Sequence, residues 1–172
     1  MPLTLAELYP SHLVNGATKY TRAAAKSGKN CHGSLIGSAL QAAVRHGGCT
    51  QELRATYVSR AVKVMATIGV FNLKTAALAS AAARKAGRSE FVAQLPAKRG
   101  PTQAIGQGTG LEEALVKGHY LVLIWAEKTN LRAPKNAAAR ARISAVMSLL
   151  INRTVNVSLS TRMVNGRPAK QH

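Results

Sequence analysis

The residues best placed to do chemistry in this chain are cations. Lys19, Arg22 and Lys26 recur at three- and four-residue intervals in the stretch ATKYTRAAAKSGK, residues 17–29, and Lys29 closes it. Wound at about 100° per residue, the first three fall on one narrow helical face, and Lys29 joins them if the helix runs past Gly28. The opposite side offers only Ala17, Thr21 and Ala24, too little apolar area to hold such a helix against a core. No acid in the stretch neutralises the stripe. Charge on a helix face ordinarily means a solvated surface; the alternative is a helix laid along a polyanion. A second set, Arg132, Lys135, Arg140 and Arg142, surrounds the start of a predicted helix over 136–151. Free N–H groups already make that end positive, so cations there oppose the dipole. Arginines beside a helix N-terminus do, however, suit a phosphate. Arg60 and Lys63 lie close together on a further predicted helix. All these residues are candidate nucleic-acid contacts.

The composition pushes the same way. The 172 residues carry 24 Lys and Arg against 6 acids, a net charge of +18, and every acid is a glutamate. Self-repulsion of that size destabilises a compact chain unless an outside anion offsets it. Nucleic acid is the first such anion to consider, an anionic membrane surface the second. Aromatic residues are only 4% of the chain. Proteins that bind single strands stack bases on exposed aromatics, so their scarcity favours contact with the backbone of double-stranded DNA.

Other chemistries fit less well. No aspartate is present to orient a histidine, no GxSxG nucleophile elbow occurs, and the paired acids Glu112 and Glu113 are adjacent at a predicted helix start. The expectation is a protein that is not an enzyme and needs no cofactor. Cys31, His32, His46 and Cys49 lack the tight paired spacing of a zinc site, and two thiols either pair or stay free. The glycines of IGQGTG, residues 105–110, precede a predicted helix but lack the Lys-Ser/Thr of a phosphate loop. The longest dense apolar run, 120–126, is far short of the roughly 20 residues that span a bilayer, so no membrane insertion is expected.

The elements that must position the cations read as helices. Spacing of Leu53, Tyr57, Ala61, Met65 and Ile68 predicts a helix over 50–68, carrying Arg60 and Lys63. Further helices are predicted over 33–46, over the Ala-rich 72–86, over 111–130 behind the Thr109 and Glu112 capping pattern, and over 136–151 behind Asn136. Residues 96–110 form a long irregular stretch with Lys98 and Arg99, of the kind that is usually functional. Val155, Val157 and Leu159 alternate with polar residues, a strand-like tail. The expected architecture is an all-α bundle: a basic helical arm over 1–48, a core domain over 49–152 and a tail over 153–172.

With its basic N-terminal stretch (Lys19, Arg22, Lys26, Lys29), Ala-rich helices and near absence of acids, the chain resembles the major coat proteins of filamentous and rod-shaped archaeal viruses. That resemblance rests on general layout. It implies coat subunits that pair with copies of themselves or a related subunit and wrap double-stranded DNA in a helical virion. A ribosomal or other ribonucleoprotein component binding RNA is the alternative.

Overall fold

The computed structural model describes residues 1–166 and residue 168; the end of the predicted tail lies outside these. Strands β1 (His12–Asn15), β2 (Thr18–Gly28), β4 (Gln51–Ser59), β5 (Val64–Asn72), β7 (Leu111–Lys117) and β8 (Tyr120–Lys128) form one antiparallel sheet. Its order is β1-β2-β4-β5-β8-β7. Two short strands, β3 (Leu35–Ile36) and β6 (Phe91–Val92), pair separately. The helices are α1 (Leu5–Leu8), α2 (Ser38–His46), α3 (Ala76–Ala83), α4 (Ala137–Ile151) and α5 (Val157–Asn165). No described helix is long and apolar enough to cross a membrane.

The all-α expectation is thus overturned, and the physical reason lies in the central strands. Segment 50–68 is the larger part of the hairpin β4–β5, and 111–130 contains the hairpin β7–β8. Leu53 and Tyr57 are four residues apart, a spacing that returns to one face in a strand as well as in a helix. The strands β4, β5 and β8 are buried almost throughout. A strand covered on both faces loses the alternation that would betray it. The β4–β5 turn also hides its signal, because Lys63, not glycine, takes the left-handed conformation (φ 55°).

The basic stretch 17–29 is a strand as well. It is β2, and it joins the sheet between β1 and β4, so the expected helical arm is absent. Where the sequence alternates at 155–159 the chain instead continues α4 through a π-helical turn (Asn152–Asn156) into α5. The Thr154 hydroxyl donates to the Leu150 carbonyl within that turn (2.6 Å). Segment 33–46 is α-helical only over α2, after a 3-10 turn at His32–Ser34, and 72–86 only over α3, capped by Thr75. The helix expected over 136–151 is α4, with the Asn136 side chain accepting from the Ala139 N–H at 2.9 Å.

Two cores flank the sheet. On one face Tyr57, Ile68, Val122 and Ile124 meet α4 through Ile143, Met147 and Leu150, with Leu8 and Tyr9 alongside. On the other, Met65, Phe71, Leu121 and Leu123 meet Leu40 and Val44 of α2 and Ala79 and Ala82 of α3. Alanine lets α3 approach the sheet closely. The irregular segment 93–110 lies across this second face, held by the Arg54 guanidinium on the Ala93 carbonyl (2.8 Å) and Thr56 on the Leu95 carbonyl (2.7 Å).

A disulfide joins Cys31, which follows β2, to Cys49, which precedes β4, across 18 residues of sequence. Closing a loop of that length in the unfolded chain is worth about 3 kcal/mol. Urea unfolding of the Cys31→Ser, Cys49→Ser double variant is expected to show a loss of that size; a loss under about 1 kcal/mol would mean the bond does not constrain the unfolded chain.

Candidate nucleic-acid interface

The surface is basic because the few acids are spent inside. Glu7 forms an ion pair with Arg162, and Glu52 lies 3.4 Å from Arg54, both acids being buried. Glu90 accepts from the Leu40 N–H (2.8 Å) at the start of α2, where a carboxylate suits the helix dipole. Glu127, fully buried, accepts from the Gly106 N–H at 2.7 Å. Burial raises the pKa of that carboxyl, against the smaller lowering effect of the Gly106 and Gly108 N–H groups. Only Glu112 and Glu113, on the edge strand β7, remain without such an engagement among the described acids.

Strand register then decides where the cations go. The β1–β2 turn, the β4–β5 turn and the connection from β8 to α4 all emerge at one end of the sheet. They bring Lys19, Arg60, Lys63, Arg132 and Lys135 to that end, all exposed. The Thr129 N–H donates to the Lys63 carbonyl (3.0 Å), which ties two of these connections together. Lys26 and Lys29 lie toward the opposite end of β2. A bulge between Arg22 and Ala24 shifts the alternation, so Lys19 and Lys26, seven residues apart, share one face. Arg22 points to the other face, where its guanidinium donates to the Tyr9 carbonyl.

Beside this end runs a groove of about 480 Å³ between β2, β4 and segment 93–110. Lys19, Arg60 and Arg99 line it with Thr21 and Thr102, and no acid does. Its remaining walls are mainly small residues such as Ala23 and Ala61, leaving room for a phosphodiester between the cations. The Thr102 hydroxyl is buried without a hydrogen-bond partner. Arg140 lines a different cavity, on the β7 side of the same face, and Arg142 is exposed on α4.

No family model matches this chain, and no curated protein or solved structure does either. Among the sequence candidates, Lys19 and Arg60 meet in the groove, and Lys63, Arg132 and Lys135 stand on the same end of the sheet. Lys26, Lys29, Arg22 and Arg142 are not brought to the groove. Arg99 completes it and is absent from the sequence candidates. Its signal was the length of the irregular stretch, whose packing against β4 only the fold supplies.

Proposed function

We propose that this chain is a structural nucleic-acid-packaging protein, gripping phosphodiester backbones with the cationic end of its sheet and the groove of Lys19, Arg60 and Arg99. The observation that carries this reading is the internal engagement of Glu7, Glu52, Glu90 and Glu127, which leaves the exposed cations to an outside anion. A coat subunit that assembles with copies of itself fits such a surface, and a ribonucleoprotein component fits it as the second reading. The helix-wrapping geometry implied by the archaeal coat resemblance has no place here, since the basic stretch is a strand.

Phosphate contacts are sequence-blind and release counterions. With Lys19, Arg60, Lys63, Arg99, Arg132 and Lys135 engaged, log affinity for duplex DNA is expected to fall against log salt with a slope of about −5, and for a single strand about −4. Filter binding over a salt series, with duplexes of unrelated sequence, checks both the slope and the indifference to sequence. No retention of any polynucleotide at low salt would overturn the proposal.

A further inference from the structure

The cavity that takes Arg140 is built differently from the groove. It has a volume of about 590 Å³ and lies where segment 93–110 meets β7, β8 and the connection into α4. Arg88, Phe91, Gln94, Glu112, Trp125 and Arg140 line it. Such a volume falls within the range of about 300–1,000 Å³ typical of small-molecule sites. Phe91 and Trp125 set their ring centroids 6.1 Å apart at a tilt of 31°. Phe91 is partly buried and Trp125 only 5% exposed, so most of the aromatic surface open to the cavity belongs to Phe91.

Where the chain crosses Trp125, glycine is a necessity. A Cβ on Gly110 would stand 2.3 Å from an indole carbon of Trp125, so only glycine lets the backbone lie against that part of the ring. Gly106, at φ 94°, is fixed from beneath by the buried Glu127 carboxylate. Gln94 and Glu112 add hydrogen-bonding groups to an apolar interior, and Arg88 and Arg140 stand exposed around it. Ala133 and Pro134 close another side. They belong to the connection that carries Arg132 and Lys135, so a backbone held on those cations passes the cavity.

We infer that this cavity receives one unpaired nucleobase of the bound polynucleotide, packed against Phe91 and Trp125, with its phosphates on Arg88 and Arg140. The inference rests on the proposed function and gives it a substrate class: a strand with unpaired bases. A base inside a duplex is unavailable to such a site, whereas a flipped or single-stranded one stacks on aromatic side chains. Glu112 is acceptor-only when ionised. It therefore favours bases that carry an amino donor, as a carboxylate does with the cytosine amino group, over uracil and thymine, whose one donor, N3–H, lies between two carbonyl oxygens that repel a carboxylate.

Trp125 is the only tryptophan of the chain, so its fluorescence reports on this cavity alone. The test titrates the intact protein with end-labelled oligo(dC), oligo(dT) and a duplex of equal length. Anisotropy of the label reads binding, and tryptophan emission reads occupancy. Oligo(dC) is expected to quench Trp125 and to bind about tenfold more tightly than oligo(dT), roughly one good base contact, while the duplex binds without quenching. Glu112→Gln should abolish the dC over dT preference while leaving the salt slope unchanged. Phe91→Leu, which keeps an apolar side chain, should weaken single-strand binding more than duplex binding. Binding of all three polymers with no change in Trp125 emission overturns the base cavity and leaves the proposed function standing. Binding of none overturns both.

Discussion

Replacing Lys19, Arg60 and Arg99 together by glutamine is expected to lower affinity for nucleic acid by roughly three orders of magnitude. Each charged hydrogen bond to a phosphate contributes about 1.5 kcal/mol, so three amount to about 4.5 kcal/mol. Loss of three phosphate contacts should also flatten the salt slope by about 2.7 on duplex DNA. All three residues are exposed, and none of them forms an ion pair with an acid in the fold. Thermal stability should therefore stay within about 0.5 kcal/mol, as for ordinary surface changes, or rise slightly as self-repulsion falls. The matching control is Lys26, Lys29 and Lys117, equal in charge but at the other end of the sheet. That triple should cost less than about tenfold. Equal losses from the two triples would show that affinity comes from diffuse charge, and the groove would lose its role. Arg22→Gln belongs to neither group. Its guanidinium serves the Tyr9 carbonyl, so its effect should appear in stability and not in binding.

How much of this was legible beforehand follows from what each residue type signals. The electrostatic character was plain, because charge counts do not depend on the fold. The Asn136 cap and the apolar stripe of α4 were legible because cap chemistry and i, i+3, i+4 spacing act locally. The sheet was not. Arg54 and Thr56 are polar yet buried under segment 93–110, and Glu127 is polar yet buried under Gly106 and Gly108. Polar residues in such places mimic the exposed side of a helix. The Ala-rich composition of β2, with Ala23, Ala24 and Ala25 in a row, carries strong helix propensity, and only pairing with β1 and β4 overrides it. At the candidate site the cations were visible singly. Their convergence depends on three connections emerging at one sheet end, which is a property of register and not of local sequence. The acids taught a second lesson. Their number was known, but their removal to the interior, which makes the surface more basic than the net charge suggests, required the contacts.

The ion pair between Glu7 and Arg162 is expected to be the most sensitive electrostatic point of the fold. It joins residues 155 apart in sequence, and its side chains are only 4% and 10% exposed respectively. The guanidinium meets both carboxylate oxygens and also donates to the carbonyls of Met1 (2.7 Å) and Pro2 (2.9 Å). The hydrogen bond to Glu7, ahead of the opposing effect of burial, raises the arginine's pKa above its ordinary value, so it stays charged at every relevant pH. Ser158 adds a bond from its hydroxyl to the Glu7 carbonyl (2.7 Å), so α5 is fastened to α1 at two points. Removing one partner strands the other as a buried charge, a loss of about 3–5 kcal/mol. Glu7→Leu and Arg162→Met are each expected to cost that much in urea unfolding. The double variant should recover most of it, because two apolar side chains of similar size replace a pair whose desolvation nearly cancels its attraction. A double variant as unstable as the singles would mean that the bonds to Met1 and Pro2, not the ion pair, hold α5 in place. Because Lys19, Arg60 and Arg99 lie on the opposite side of the sheet from this pair, nucleic-acid affinity measured well below the unfolding midpoint should stay unchanged in all three proteins.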